Sequence, residues 1–190
     1  MLQSADEVKQ AIRDDPSMMI ILSTAAELEL PDWWICAGFI RSKIWDIQHG
    51  LKTPPADIDV IYFDPLNPDE REEKKLEKTL NEKQPSYPWS VKNQARMHLV
   101  NGTAPYTSSE DAISRFPETA AALGVKLDKN KNLVLTAPHG LEDALLMKVR
   151  PTPFFLETPA LHDVYNKRIR KKNWQKRWEK IKIEDAPSLL

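Results

Sequence analysis

The chain has 190 residues, a formal net charge of −1 and 41% hydrophobic residues, which fits one folded domain with a real core. The near-neutral charge argues against nucleic-acid binding over the whole surface, although local basic patches remain compatible with it. No stretch approaches the ~20 apolar residues that a membrane helix needs. The single cysteine, Cys36, excludes an internal disulfide and a cysteine-based zinc site. The first residues lack a signal-peptide pattern, so we expect a cytoplasmic protein.

Two helices are predicted before the first strand. Residues 6–15 alternate charged and apolar side chains, and Pro16 ends the pattern. Residues 17–30 begin with an apolar run and stop at Pro31. These helices are expected to cover one face of a sheet.

The central stretch of the sequence runs from Trp33 to Asp64. An apolar run at residues 34–37 predicts a strand, and Gly38 follows it as a turn. Apolar residues then recur at helical spacing, which predicts a helix with one buried face; they are Ile40, Ile44, Trp45 and Ile47. After a break at Pro54-Pro55, residues 57–63 are rich in β-formers and predict a buried strand.

Downstream, the predicted elements alternate between helices and strands. A charged helix over 69–84 would cross from the second strand to a third at 89–99, and a helix would begin at Ser108 or Ser109. Strands at 125–127 and 133–136 predict a hairpin. A terminal helix from Pro159 is expected to continue through Trp174, Trp178 and Ile181.

Asp57 and Asp59 are the strongest candidates for chemistry. Side chains at i and i+2 of a strand point to the same face, so the two carboxylates are aimed at one place. Two like charges this close are unfavourable unless a cation lies between them. Carboxylate pairs of this kind are typical of Mg²⁺ (or Mn²⁺) and phosphate sites. A polar start to the strand, with a capping role, is the alternative.

The order of strand, glycine turn, arginine-bearing helix and Asp-x-Asp strand resembles the nucleotidyltransferase superfamily, which has a DNA polymerase β-like fold. Residues 37–41, Ala-Gly-Phe-Ile-Arg, are similar to its Gly-Gly-x-Val-Arg variant, with Ala37 in place of the first glycine. Residues 89–98 and 137–143 resemble a small bacterial family of uncharacterised nucleotidyltransferase-like proteins. The resemblance implies an α/β (α+β) fold with a small mixed sheet, flanking helices and a helical C-terminal part.

The resemblance also implies site residues. Asp57 and Asp59 match the catalytic, metal-binding pair, Gly38 would allow close approach of phosphate, and Arg41 would contact it. The family's third acid falls on the third strand at Ser90, which cannot replace an anion. Lys92 and Arg96 are suited to a triphosphate or an acidic acceptor. A tight turn at Gly38, a surface salt bridge at Arg41 and a structural polar network around residues 93–98 are the alternatives.

The preferred function is metal-dependent transfer of a nucleoside monophosphate from an NTP to a hydroxyl acceptor. The alternatives are a non-catalytic nucleotide-binding or interaction protein, and an RNA-processing factor. The basic run at 167–177, with Trp174 and Trp178, is compatible with RNA binding. We favour instead a segment docked on the domain, with residues 1–155 as the nucleotidyltransferase-like domain and 156–190 as a helix packed on it.

Overall fold

A five-stranded mixed sheet lies at the centre of the structure, a computed structural model that describes residues 1–54 and 57–187. Its strands are β1 (Trp34–Cys36), β2 (Ile58–Tyr62), β3 (Trp89–Asn93), β4 (Gly124–Leu127) and β5 (Leu133–Thr136). They are arranged in the order β3-β2-β1-β4-β5, and only the pair of β2 with β3 is parallel. The predicted mixed sheet, the hairpin of β4 with β5 and the helical crossover before β3 are confirmed.

Helices surround this sheet. In the described chain they are α1 (Ala5–Arg13), α2 (Pro16–Ala26), α3 (Gly38–His49), α4 (Glu70–Lys83), α5 (Gln94–Asn101), α6 (Ser109–Ser114), α7 (Glu142–Leu145), α8 (Pro153–Leu156) and α9 (His162–Lys172). Two short strands, β6 (Lys148–Val149) and β7 (Lys182–Ile183), form a second, parallel sheet. Among the helices in the described ranges, none has the length and apolarity required to cross a membrane.

Side-chain caps fix the starts of several helices. Ser4, Asp15 and Asp69 each accept hydrogen bonds from backbone N–H groups in the first turn of α1, α2 and α4. Pro16 at the first position of α2 fits because its missing N–H would have no partner there. Helix α3 differs, because no side chain caps its first turn.

The main core lies between one face of the sheet and the helices. Ile35, Ile58 and Val60 of the strands pack in one cluster with apolar residues of α3 and with residues from the C-terminal part. Trp45 of α3 is fully buried, and the rings of Trp174 and Trp178 meet it edge-on with centroids 5.6 and 5.3 Å away. The C-terminal tryptophans are therefore part of the core; the division into units at residue 155 stays a prediction.

The predicted strand over 89–99 is wrong in its second half, because β3 ends at Asn93 and α5 begins at Gln94. The Asn93 side chain accepts a hydrogen bond from the Ala95 N–H and so caps the new helix. Its amide also donates to the carbonyls of Asp64 and Asn67. The polar cluster that the sequence places on a strand is thus divided between a strand end and a helix start.

The predicted terminal helix is also too long. Helix α9 ends at Lys172, and Asn173 adopts the left-handed conformation (φ 44°, ψ 45°) that closes a helix. A short 3-10 turn, Trp174–Lys176, then leads towards β7. The sequence of residues 139–147 also predicts a helix, and of this stretch only α7, which begins at Glu142, is helical.

Candidate active site

The two aspartates lie where β2 starts, beside the turn that connects β1 to α3. The antiparallel register pairs Cys36, the last residue of β1, with Asp59. Asp57 precedes β2 and is exposed, whereas Asp59 is only partly exposed. Both carboxylates are therefore adjacent to the predicted phosphate turn.

The environment of Asp59 is unfavourable for a negative charge. Burial, and after it the neighbouring charge of Asp57, raise the pKa of its carboxyl group to about 6. The positive charges of Lys172, Arg41 and Arg168 act in the opposite direction. A strongly perturbed carboxylate beside a second carboxylate and three cations is the pattern expected of a functional site.

Ser90 lies next to Asp59 in the parallel register of β2 and β3. Registered neighbours in a sheet place their side chains on the same face, about 4.8 Å apart. Ser90, the residue at the predicted position of the family's third acid, is therefore adjacent to Asp59 in the structure. A serine hydroxyl stands at the position nearest to the carboxylate pair on β3.

The turn after β1 is strained at Ala37, not at Gly38. Ala37 has φ 53° and ψ −114°, a conformation that glycine adopts more readily than alanine, and Gly38 is already the first residue of α3. Since no side chain in residues 1–54 or 57–187 caps α3, the first N–H groups of this helix have no side-chain partner within those ranges. Such N–H groups, with the helix dipole, favour an anion.

Arg41, one turn into α3, is buried yet has no ionic partner in the described residues. Its guanidinium lies over two indole rings, 4.9 Å from the centroid of Trp45 and 4.5 Å from that of Trp174. It is only 7% exposed, and its Nε has no hydrogen-bond partner. Burial lowers the pKa of Arg41 to about 10, so it remains charged at neutral pH. The surface salt bridge considered from the sequence is not formed within the described chain.

Lys92 and Arg96 face a carboxylate of α4. Glu73 is fully buried, and it accepts hydrogen bonds from Lys92 Nζ at 3.2 Å and from Arg96 Nη2 at 2.9 Å. Glu73 and Glu77 also accept the backbone N–H groups of Asn93 and Val91, each at 3.0 Å, along the outer edge of β3. Withdrawing either cation would leave a buried charge less compensated. Their binding to NTP stays a prediction, and both already have a structural role.

The structure brings three further residues to the site that the sequence did not single out. Arg168 of α9 pairs with the buried carboxylate of Glu118, with Nε 2.5 Å from Oε1. Arg168 and Lys172 both lie close enough to Asp59 to influence its pKa. The only sequence signal for these two cations is the basic character of residues 167–177. The sequence does not indicate which lysine or arginine in that run faces the sheet.

A cavity of about 810 Å³ opens beside the first half of α3. Gly38, Phe39 and Ser42 line it on one side, and the junction of α1 with α2 and residues 51–54 line it on the others. In its wall, Lys43 Nζ lies 2.8 Å from the carboxylate of Asp15. Its volume is within the range of ligand sites, and it reaches the predicted phosphate turn.

The donor set fits a divalent cation only in part. Two carboxylates on one strand suit a hard ion such as Mg²⁺ or Mn²⁺. Within residues 1–54 and 57–187, however, no group of three His, Cys, Asp or Glu side chains could hold a metal ion. Asp57 and Asp59 are the residues that would hold such an ion.

The sequence matches a known protein family. A family model described as nucleotidyltransferase matches residues 23–183. The chain belongs to this nucleotidyltransferase family. No curated protein matches the sequence closely enough to lend it an activity.

Solved structures confirm the fold. An NMR structure described as revealing a CCA-adding enzyme head domain is 41% identical, has a TM-score of 0.88, and matches over 97% of this chain and 98% of its own. The Thermotoga maritima CCA-adding enzyme complexed with tRNA (15% identity, TM-score 0.58) is matched over 94% of this chain. A CCA-adding enzyme with CTP (14%, 0.60) is also matched over 94%. The chain spans only 42% and 43% of these two enzymes.

Proposed function

We propose that this protein transfers a nucleoside monophosphate from an NTP to a hydroxyl acceptor. The observation that carries the proposal is the buried guanidinium of Arg41, which lies near Asp59 but forms no salt bridge with any described residue and leaves its Nε without a hydrogen bond there. A buried charge without a partner is costly, so a bound phosphate is the natural counter-ion. Membership of the nucleotidyltransferase family supports the reaction class.

Different residues would bind the phosphates of the NTP and accept the proton of the attacking hydroxyl. The free N–H groups at the start of α3 and the guanidinium of Arg41 would hold the phosphates, with Trp45 and Trp174 keeping that guanidinium in place. The carboxylate of Asp59 would accept the proton of the attacking hydroxyl. The cavity beside Gly38 offers room for a nucleoside or for the acceptor.

A divalent ion would be held by Asp57 and Asp59. When bound, Mg²⁺ or Mn²⁺ would neutralise the paired carboxylates and the negative charge that develops on the phosphate oxygens. With Ser90 in place of a third acid, we expect the ion to bind weakly in the absence of nucleotide.

The test is a screen of α-labelled ATP, CTP, GTP and UTP with Mg²⁺ or Mn²⁺, in the presence of total RNA and a small-molecule extract. We expect pyrophosphate release and a labelled product that require Asp59, with Asp59→Asn as the inactive control. Activity that Asp59→Asn retains would contradict the proposed site.

A non-catalytic nucleotide-binding protein is the second candidate, and the serine at position 90 favours it. In that case NTPs would bind with an affinity that depends on Arg41, but no pyrophosphate would be released with any acceptor fraction. Calorimetry beside the labelled-NTP screen separates the two functions.

A further inference from the structure

The end of α9 places two cations beside the carboxylate pair. Arg168 and Lys172 are four residues apart, so they lie one above the other on the same side of the helix. Two residues beyond Lys172, the ring of Trp174 covers the guanidinium of Arg41, 4.5 Å away. This contact fixes the end of α9 against the first turn of α3. The position of Lys172 is therefore determined by packing, although its side chain is exposed.

Glu118 fixes the position of the Arg168 guanidinium by an ion pair. This carboxylate is fully buried, and it accepts from Nε and Nη2 of Arg168 at 2.5 and 3.4 Å. Nη1 of Arg168 makes no hydrogen bond with any other described residue, and the side chain is 37% exposed. One edge of the guanidinium is thus fixed by the protein, and the other is available to a ligand.

The charges around Asp59 are unusual for a site that needs a metal. Ser90 stands where the family has a third carboxylate, while Arg41 in the first turn of α3 is covered by Trp174, two residues beyond Lys172 at the end of α9. A nucleoside triphosphate carries its largest negative charge on its terminal phosphates. Cations supplied by the protein can therefore neutralise charge that a more strongly held metal would otherwise neutralise.

We propose that Arg168 and Lys172 bind the β- and γ-phosphates of the nucleotide, so that the C-terminal segment completes a site for the triphosphate and for the pyrophosphate that leaves. This inference rests on the proposed function. It assigns to α9 a ligand-binding role in addition to its packing, and it names an inorganic polyphosphate as the minimal ligand.

The direct test is titration of inorganic tripolyphosphate into the protein by calorimetry, with a chelator present so that no metal contributes. We expect Lys172→Met to raise the Kd about tenfold, the loss of one hydrogen bond to a charged group, and to reduce its dependence on salt. Lys167→Met is the matched control, because Lys167 is exposed and lies on the side of α9 opposite Tyr165 and Ile169; it should bind like the wild type.

Arg168 requires a conservative substitution, because loss of its positive charge would leave Glu118 buried without a partner. Arg168→Lys keeps a positive charge near Glu118 but loses the second edge of the guanidinium, so we expect weaker tripolyphosphate binding with little change in melting temperature. A wild type that does not bind tripolyphosphate overturns the inference. Equal affinities of the wild type and Lys172→Met overturn it as well.

Nucleotide turnover separates this inference from the proposed function. Product formation by Lys172→Met with an unchanged KM for NTP would overturn the role of α9 and leave the transferase proposal intact. Tripolyphosphate binding that requires Lys172, in a protein that releases no pyrophosphate from any NTP, would support the phosphate site and refute the transferase proposal.

Discussion

Ser90 is the registered neighbour of Asp59 in the parallel pair of β2 and β3. Ser90→Asp would place a third carboxylate beside the pair, and metal affinity rises with the number of charged ligands. We expect the variant to bind Mn²⁺ at least about tenfold more tightly. Ser90→Asn, which adds the same bulk without charge, is the control. Equal Mn²⁺ affinities of the two variants by calorimetry would show that position 90 is remote from the metal.

The backbone of Ala37 supplies a prediction about stability. Its φ of 53° is one that glycine adopts at less cost. Ala37→Gly should therefore stabilise the protein by about 1 kcal/mol. Ala11→Gly, in the ordinary helical backbone of α1, should instead destabilise it by about 0.5–1 kcal/mol. Urea denaturation measures both, and a loss of stability in Ala37→Gly as large as that in Ala11→Gly would disprove the strain.

Arg41→Met tests the buried guanidinium. Methionine keeps an apolar chain against the two indole rings and removes the charge. We expect NTP binding to weaken about tenfold or more and nucleoside binding to stay unchanged, with no loss of thermal stability. Arg177→Met is the control, since Arg177 also lies over a tryptophan ring, at 5.4 Å from that of Trp178, but is exposed. A parallel loss of nucleoside affinity would contradict the phosphate role.

The raised pKa of Asp59 makes the metal-free protein sensitive to pH. With a folded-state pKa of about 6 against a usual 3.8, the folded protein binds this proton more tightly than the unfolded chain does. The resulting stability is present below about pH 4 and is lost as the pH rises through about 6. Denaturation in chelator should show a flatter pH profile for Asp59→Asn than for the wild type. Identical slopes of the unfolding free energy against pH in the two proteins would mean that the Asp59 carboxylate is solvated.

Trp178 anchors the C-terminal segment. Its ring meets Trp45, and its Nε1 donates to Asp46 at 2.8 Å. Trp178→Ala should lower the free energy of unfolding by about 3–5 kcal/mol. Trp178→Phe retains most of the packing and should cost about 1–3 kcal/mol, the loss of the hydrogen bond to Asp46. An unchanged melting temperature in Trp178→Ala, together with salt-sensitive RNA binding by the wild type, would favour the RNA-processing alternative.

The parts of the fold that could be predicted from the sequence are those encoded locally. The strand before Gly38, the helix carrying Arg41 and the β-rich run after Asp57 each have a pattern within one short stretch. The division at Asn93 was missed because a single asparagine side chain decides it, by capping α5. Asn173 ends α9 through its left-handed backbone conformation, against a spacing of tryptophans that suggests continuation.

The sequence brings together only those candidate residues that neighbouring elements carry. Asp57, Asp59 and Ser90 come together through one crossover between neighbouring strands, which the sequence pattern contains. Arg168 and Lys172 lie near Asp59 because Trp174 packs against Arg41 and Trp45. These two partners of Trp174 are more than 100 residues earlier in the chain. Nothing in the basic run distinguishes these two cations from their neighbours.

The carboxylates of Glu73 and Glu77 have a consequence for association between molecules. By accepting the N–H groups of Asn93 and Val91, they occupy the donors that an incoming strand would need to extend the sheet from β3. This edge is therefore protected against strand addition and the aggregation that can follow. Replacement of the two glutamates by alanine would expose a β-edge to other chains.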